Sequence, residues 1–198
     1  MSDPRSTTTL PTAGSLLVAL PSLEDPNFHQ SVILMLVCGT AEGAIGVVLN
    51  RPNEVPVAAL LPGWEDLASP PDSVFVGGPV ARDQVICLAH LKPELAGEGF
   101  DGCAPLAGGS GRLATLDLHR QPYEMSAGVD AVRLFSGHAG WIAGQLEAEL
   151  ATGSWLVVPS LPDDPFTDDP PGLWRRVLRR QGGHVAIYAS APPKLSMN

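Results

Sequence analysis

The stretch Ser31-Val-Ile-Leu-Met-Leu-Val-Cys38 decides the fold of this sequence. It is apolar without interruption from Val32 to Cys38 and rich in branched side chains, a pattern typical of a strand buried on both faces. After the turn Gly39-Thr40-Ala41-Glu42-Gly43, the chain continues as Ala44-Ile-Gly-Val-Val-Leu-Asn50. Two apolar runs joined by a short glycine-containing turn predict an antiparallel hairpin over 31–50, closed by Arg51-Pro52, with its first strand central in a sheet.

The remaining apolar runs predict more strands than helices. Strands are predicted over 74–76, 85–90, 113–118, 131–135, 155–158 and 185–189, and helices over 57–61, 141–151 and 172–181. The helix at 172–181 has an apolar stripe made of Leu173, Trp174, Val177 and Leu178, so we expect Trp174 in the core. Because strands and helices do not alternate regularly, the predicted class is α+β in a compact single domain.

Length and composition exclude several classes of protein. The 198 residues fit a single domain, and 44% hydrophobic with 17% charged residues is typical of a globular chain. A net charge of −9 repels nucleic acid and anionic membranes, and no helix-turn-helix pattern is present, so we predict no specific binding to duplex DNA. No apolar run approaches the ~20 residues of a membrane span, and none resembles a signal peptide.

The cysteines and the chain ends complete this outline. Cys38, Cys87 and Cys103 contain no C-x-x-C pair, which predicts reduced thiols in a cytoplasmic protein with no metal and no cofactor. Residues 1–12 are predicted to be a flexible tail, 13–191 the single domain and 192–198 a C-terminal tail. The glycine-rich segment 94–111 is interpreted as a mobile excursion, with a lid as the alternative.

Two motifs leave alternative functions open. Four arginines at 175, 176, 179 and 180 follow four aspartates at 163, 164, 168 and 169, which indicates either a solvated helix face or a phosphate-binding or nucleic-acid-binding surface. The motif Ser136-Gly-His-Ala-Gly-Trp141 lies between a predicted strand and a predicted helix. It is interpreted as a structural turn, as an anion site at a helix start, or as a catalytic serine with His138.

A candidate ligand pocket combines three predicted turns, which are Asn50-Arg51-Pro52, Gly77-Gly78-Pro79 and Gly137–Trp141. Strand ends leave backbone groups unpaired, glycines allow a ligand to approach them, and an arginine offers a planar fork of donors to a carboxylate or phosphate. The alternative is that Arg51 pairs with an acid such as Glu42 and that the turns only close the fold. The residues of the candidate pocket are Asn50, Arg51, Gly77, Gly78, His138, Gly140 and Trp141.

Six ordered blocks resemble the AlgH/YqgE family of bacterial proteins. They are 14–28, 42–52 (Glu-Gly-Ala-Ile-Gly-Val-Val-Leu-Asn-Arg-Pro), 75–80 (Phe-Val-Gly-Gly-Pro-Val), 139–147, 155–159 (Trp-Leu-Val-Val-Pro) and 173–178 (Leu-Trp-Arg-Arg-Val-Leu). The resemblance implies an α+β fold whose mixed-sheet core is β-barrel-like and flanked by helices, with no established enzyme activity. Some members of the family carry the label of transcriptional regulator, so the resemblance also implies a role in regulation.

The sequence and the resemblance together predict a non-enzymatic cytoplasmic binding or regulatory module. Its partner is predicted to be a small anionic ligand or another protein. Two alternatives remain: a transcriptional regulator acting directly or through a partner, and a hydrolase using Ser136 and His138. No residue is assigned as catalytic.

Overall fold

A computed structural model describes residues 10–39, 41–108 and 111–192. The predicted N-terminal tail up to residue 9, the predicted C-terminal tail from residue 193, Thr40 of the hairpin turn and residues 109–110 lie outside these ranges. Within them no helix is both long and apolar enough to cross a membrane.

Ten strands form one curled sheet, which is the main feature of the α+β fold. They are β1 Ser15–Ala19, β2 Val32–Gly39, β3 Gly43–Val48, β4 Pro52–Pro56, β5 Ser73–Val76, β6 Val80–Leu91, β7 Cys103–Pro105, β8 Leu113–Leu116, β9 Val129–Trp141 and β10 Trp155–Pro159. The main path runs β10-β1-β2-β3-β9-β6-β8-β7 with antiparallel neighbours, while β4 and β5 form a side branch. The predicted hairpin is confirmed as β2–β3.

Strand β9 holds the sheet together. Its C-terminal part pairs with β3, its length pairs with β6, and Phe135 and Ser136 pair in parallel with Phe75 and Val76 of β5. This parallel pairing makes the sheet mixed. β9 also corrects one prediction: Trp141 is its last residue, opposite Ala44, and not the first residue of a helix.

Five helices flank the sheet. They are α1 Val57–Leu60, α2 Pro122–Met125, α3 Gln145–Ala151, α4 Leu173–Gln181 and α5 Gly183–Tyr188. The helix predicted over 141–151 begins only after Gly144, whose φ of 79° is left-handed. The strand predicted over 185–189 is wrong because these residues form α5 instead; a short apolar run does not distinguish a strand from a buried helical turn.

Alternating side chains of the strands fill two faces of the sheet. Leu16 and Val18 pack with α4 on one face, whereas Leu17 and Ala19 pack with α3 on the other. The predicted stripe of α4, including Trp174, is buried as expected. Burial on both faces explains why the first strands are continuously apolar, without the alternation of a sheet that is half exposed.

The segment 94–111 differs from its interpretation as a mobile excursion or lid. It contributes β7, which pairs with β8, and Leu106 donates its N–H to the carbonyl oxygen of Leu113 at 2.8 Å. The Leu95 and Phe100 side chains lie so close to Gly128 that a Cβ there would be within 2.7 Å of both. The described part of the segment therefore extends the sheet, and Gly97, Gly99 and Gly102, which have positive φ, form the turns before a strand of three residues.

Candidate functional site

The motif Ser136–Trp141 lies inside β9, which corrects its predicted position between a strand and a helix. The Ser136 hydroxyl donates a hydrogen bond to the carbonyl oxygen of Arg82 at 2.6 Å, and His138 pairs with Val80 of β6. Inside β9 the motif forms neither a strand-to-helix elbow nor a helix start, although Gly137 has a φ of 69°. The Ser136 hydroxyl thus has a structural partner, whereas the pairing of His138 involves its backbone.

Two of the three predicted turns meet at β9. The Gly77 N–H donates to the Ser136 carbonyl oxygen at 2.9 Å, and the Gly77 carbonyl oxygen accepts from the Val48 N–H at 2.9 Å. A Cβ at Gly77 would lie 2.2 Å from the Gly137 oxygen, and one at Gly78 would lie 2.2 Å from the His138 carbonyl carbon. Side chains at either position would force these backbones apart, so the close approach requires both glycines.

Arg51 also reaches this place. Its carbonyl oxygen accepts from the Val76 N–H at 2.8 Å, just before the Gly77 turn. Its Nη2 donates to the carbonyl oxygens of Pro26 at 3.4 Å and His29 at 3.2 Å. Burial lowers the pKa of Arg51, and the nearby Asp25 carboxylate partly offsets that effect. Among the described residues, the hydrogen-bond acceptors of the Arg51 side chain are backbone carbonyl oxygens, and Asp25 rather than Glu42 is the acid whose charge acts on it.

Asn50 is a structural residue beside Arg51. Its side-chain amide donates to the Gln30 carbonyl oxygen at 2.9 Å, and its Oδ1 accepts from the Val32 N–H at 3.0 Å. These bonds hold Gln30 at a φ of 53°, in the left-handed region that residues other than glycine rarely adopt.

Arg82 is a residue of the candidate site that the sequence pattern does not indicate. It lies in a bulge of β6, where the segment from Val80 to Val85 opposes only His138 to Ser136 of β9. Ala81, within that bulge, has a φ of 48°. The bulge turns Arg82 toward the cleft that Arg51 lines, and residues in strained backbone of this kind cluster at functional sites.

A narrow cleft brings the two arginines together. Its walls are Arg51, Arg82, Asn27, Gly78 and Pro79, with Val48 and Val76 also lining it. The space is enough for about one water-sized group. Two arginine residues thus line one small recess, Arg51 from the segment before β4 and Arg82 from the bulge of β6.

Trp141 and Gly140 lie away from this cleft. Gly140 is opposite Ile45 on an exposed part of the sheet, and Trp141 is buried among other aromatic side chains. The indole N–H groups of Trp141 and Trp155 donate to the same Oε2 of Glu149, at 3.0 and 2.8 Å. Of the seven candidate residues, Arg51 and Gly78 line the cleft. Gly77 and His138 are next to Gly78 in the chain or in backbone contact with it, Asn50 precedes Arg51, and Gly140 and Trp141 are not among the described residues that line the cleft.

Comparison with known proteins fits this architecture. The sequence pattern of a family described as AlgH-like matches residues 16–186, which is most of the chain. The chain belongs to the AlgH-like family.

Two relatives of this AlgH-like chain are named as UPF0301 proteins, a name that states no activity. It is 42% identical over 186 residues to a UPF0301 protein of Mycobacteroides abscessus, covering 94% of this chain and 88% of that protein. It is 45% identical over 187 residues to UPF0301 protein SCO2948 of Streptomyces coelicolor, covering 93% and 94%.

Two solved structures share the fold of this AlgH-like chain. The crystal structure of protein DIP2367 from Corynebacterium diphtheriae has a TM-score of 0.85 at 32% identity, covering 92% of this chain and 94% of that one. The solution structure of the AlgH protein from Pseudomonas aeruginosa has a TM-score of 0.62 at 28% identity, covering 98% and 99%.

In the AlgH-like chain, the arginines of α4 hold the acidic loop that precedes them. Arg180 forms a salt bridge with Asp164 at 2.7 Å, and that carboxylate is almost fully buried. Arg176 donates to the Thr167 hydroxyl at 2.6 Å and lies 3.7 Å from Asp169. These contacts favour the interpretation in which the acids neutralise this helix face over the one in which it binds nucleic acid.

The cysteines of the AlgH-like chain are separate thiols. Cys87 and Cys103 both lie opposite Leu116, on the two strands that flank β8, so their Cα atoms are about 9–10 Å apart and too distant for a disulfide. Burial raises the pKa of all three thiols, and the Glu147 carboxylate adds to the effect at Cys38.

We expect a thiol reagent such as an aromatic disulfide to modify one cysteine in the native protein and three after unfolding. Cys38 is half-buried and reacts first, whereas Cys87 and Cys103 are buried. Because its pKa is raised, the rate at Cys38 should keep increasing as the pH rises through 9. Cys38→Ser is the control and should remove the native reaction. Modification of two or more thiols in the folded protein would contradict the burial described here.

Proposed function

We propose that this protein is a cytoplasmic, non-enzymatic module that binds a small anionic ligand at the cleft between Arg51 and Arg82. The observation that carries the proposal is that two arginine residues from separate elements line one recess. The guanidinium group of an arginine is a planar fork of donors suited to carboxylate or phosphate oxygens. Asn27 also lines the recess.

The size of the cleft limits how a ligand can bind. A recess for about one water-sized group admits only one oxygen of the carboxylate or phosphate end of a metabolite, because pockets that enclose a whole ligand measure about 300–1,000 Å³. The body of the ligand then lies over the surrounding surface. Gly78 supports this arrangement because it leaves the wall beside the arginines without a side chain.

The two alternative functions have less support. A hydrolase would need the Ser136 hydroxyl activated by a base, yet that hydroxyl donates to the backbone carbonyl oxygen of Arg82 in β6. A regulator that binds DNA directly would need exposed basic residues, and two of the α4 arginines hold acidic residues while the chain carries a net charge of −9. Regulation through a protein partner is compatible with anion binding.

We expect Arg51→Met and Arg82→Met each to weaken binding of a phosphate-ended or carboxylate-ended probe about 10- to 100-fold. Each change removes a charge-assisted contact worth about 1.5–3 kcal/mol. Titration calorimetry with inorganic phosphate, phenyl phosphate and benzoate would measure the affinities. Arg120→Met is the matched control, since Arg120 pairs with Asp101 on the surface, outside the cleft. Equal affinities in all three variants, or no binding of any probe to the wild-type protein, would refute the proposed site.

A further inference from the structure

We infer that anion binding at the Arg51–Arg82 cleft is coupled to the loop 25–30 and, through Phe28, to the packing of Trp141 and Trp155. The ligand in this inference rests on the proposed function. The hydrogen bonds between Arg51 and the loop are present without any ligand, so their effect on the loop is tested in the ligand-free protein.

Arg51 is the tether of this loop. A single nitrogen, Nη2, serves both the Pro26 and the His29 carbonyl oxygens, and both distances exceed 3.1 Å. Within the loop, Phe28 and His29 both donate their N–H groups to the Asp25 carbonyl oxygen, at 3.0 and 2.9 Å. The loop is therefore one compact turn, and two long hydrogen bonds from the charged Arg51 side chain attach it to the strands, beside the hydrogen bonds of Gln30 to Asn50 and to the carbonyl oxygens of Ala191 and Pro192.

A strained hinge stands at the end of the loop. Gln30 has its left-handed φ of 53° directly before β2, and the side chain of Asn50 holds it there. A residue other than glycine keeps this conformation only while its surroundings enforce it. Asn50 and Arg51 are neighbours in sequence, so one short segment restrains both the hinge and the body of the loop.

Phe28 connects the loop to the tryptophans. Its ring is stacked on Trp141, with centroids 6.2 Å apart, and meets Trp155 edge-on at 5.7 Å. Glu149 fixes both indoles by accepting their N–H groups, so Phe28 is the member of this cluster that a loop movement displaces. Trp141 is 6% and Trp155 4% exposed, and loss of Phe28 would bring water to both rings.

An anion in the cleft competes with the loop for Arg51. A carboxylate or phosphate accepts a charge-assisted hydrogen bond that is shorter and stronger than one to a neutral carbonyl oxygen. Turning the guanidinium toward the anion gives up the two carbonyls and releases the loop. Because coupling is reciprocal, weakening the attachment of the loop should in turn raise the affinity for the anion.

The first experiment compares Arg51→Met with Arg82→Met in the absence of ligand. Both changes remove one positive charge from the cleft, but only Arg51 bonds to the loop. In Arg51→Met we expect the amides of Phe28, His29 and Ser31 to exchange with solvent at least about tenfold faster, and the tryptophan emission to shift to longer wavelength. Arg82→Met should match wild type in both measurements.

Amides of β2 and β3 report whether Arg51→Met is folded, and Arg51→Lys provides a second variant that keeps the charge. Lysine cannot present the guanidinium fork, so it should also loosen the loop. Wild-type exchange rates at the three loop amides in folded Arg51→Met would overturn the inference, as would equal loosening in Arg82→Met.

The second experiment adds inorganic phosphate to the wild-type protein. Binding in the calorimeter, accompanied by faster loop exchange and the same emission shift, supports both the site and the coupling. Binding without either change overturns the coupling and leaves the proposed function standing. If phosphate does not bind while Arg51→Met still frees the loop, the proposed ligand fails and the link between Arg51 and the loop is upheld.

Discussion

Arg133→Met is expected to lower the free energy of unfolding by about 3 kcal/mol. Arg133 lies in β9, is 2% exposed, and places its guanidinium 4.4 Å from the centre of the Phe75 ring. Nη1 donates to the Pro165 carbonyl oxygen at 3.0 Å, and Nη2 donates to those of Pro70 at 2.5 Å and Thr167 at 3.0 Å. Methionine fills much of the volume but leaves three desolvated carbonyl oxygens without their donor, at about 1–3 kcal/mol for each group left buried.

The charge of Arg133 persists at every physiological pH. Burial lowers its pKa to about 10, still well above neutrality. Urea unfolding followed by circular dichroism measures the effect of Arg133→Met, with Arg120→Met as a surface control expected to lose less than about 1 kcal/mol. A loss in Arg133→Met no larger than in the control would show that the three carbonyls find other donors.

Trp174→Ala is expected to lower the free energy of unfolding by about 4 kcal/mol. The side chain is 1% exposed in the core that α4 forms on the sheet. Its indole N–H donates to the Ala19 carbonyl oxygen at 2.7 Å, which ties α4 to the end of β1. Truncation therefore leaves a large cavity and an unpaired buried carbonyl, in the range of about 3–5 kcal/mol for a buried tryptophan.

Two variants separate these contributions to the effect of Trp174. Trp174→Phe keeps most of the apolar contact but loses the hydrogen bond, so we expect an intermediate loss of about 1–2 kcal/mol. Arg179→Ala, on the exposed side of the same helix, should change stability by no more than about 0.5 kcal/mol. Thermal or urea unfolding of the three proteins gives the order, and an alanine variant as stable as wild type would exclude Trp174 from the core.

The sequence predicts the parts of this fold in which local pattern and burial agree. The hairpin β2–β3 and helix α4 are such parts. An uninterrupted apolar run is best buried as a strand with both faces covered, and an i, i+4 stripe is best buried as one face of a helix. The sequence does not predict β4 and β7, because both strands are short, contain proline and each pair with one neighbouring strand. The 185–189 run is apolar enough for either state, and the helix follows from a reversal at Gly182.

The sequence predicts only some of the residues of the candidate site. Arg51 and Gly78 could be chosen because a donor fork and a glycine turn follow apolar runs. Arg82 could not, since its position depends on a bulge whose register is set by β9, far away in the chain. The motif 136–141 predicts a strand-to-helix junction, which would place Trp141 at the site. Because β9 continues through this motif instead, Trp141 lies in the buried aromatic cluster.

The pairing of β1 with β10 has a consequence for how the protein is made. Residues 15–19 leave the ribosome well before their partner strand at 155–159 and the Trp174 that bonds to Ala19. Such contacts between distant parts of a chain slow folding and leave apolar strands uncovered in the meantime. The nascent chain therefore carries an uncovered edge of β1 until residues 155–174 have been added, and this part of the native topology is completed only then.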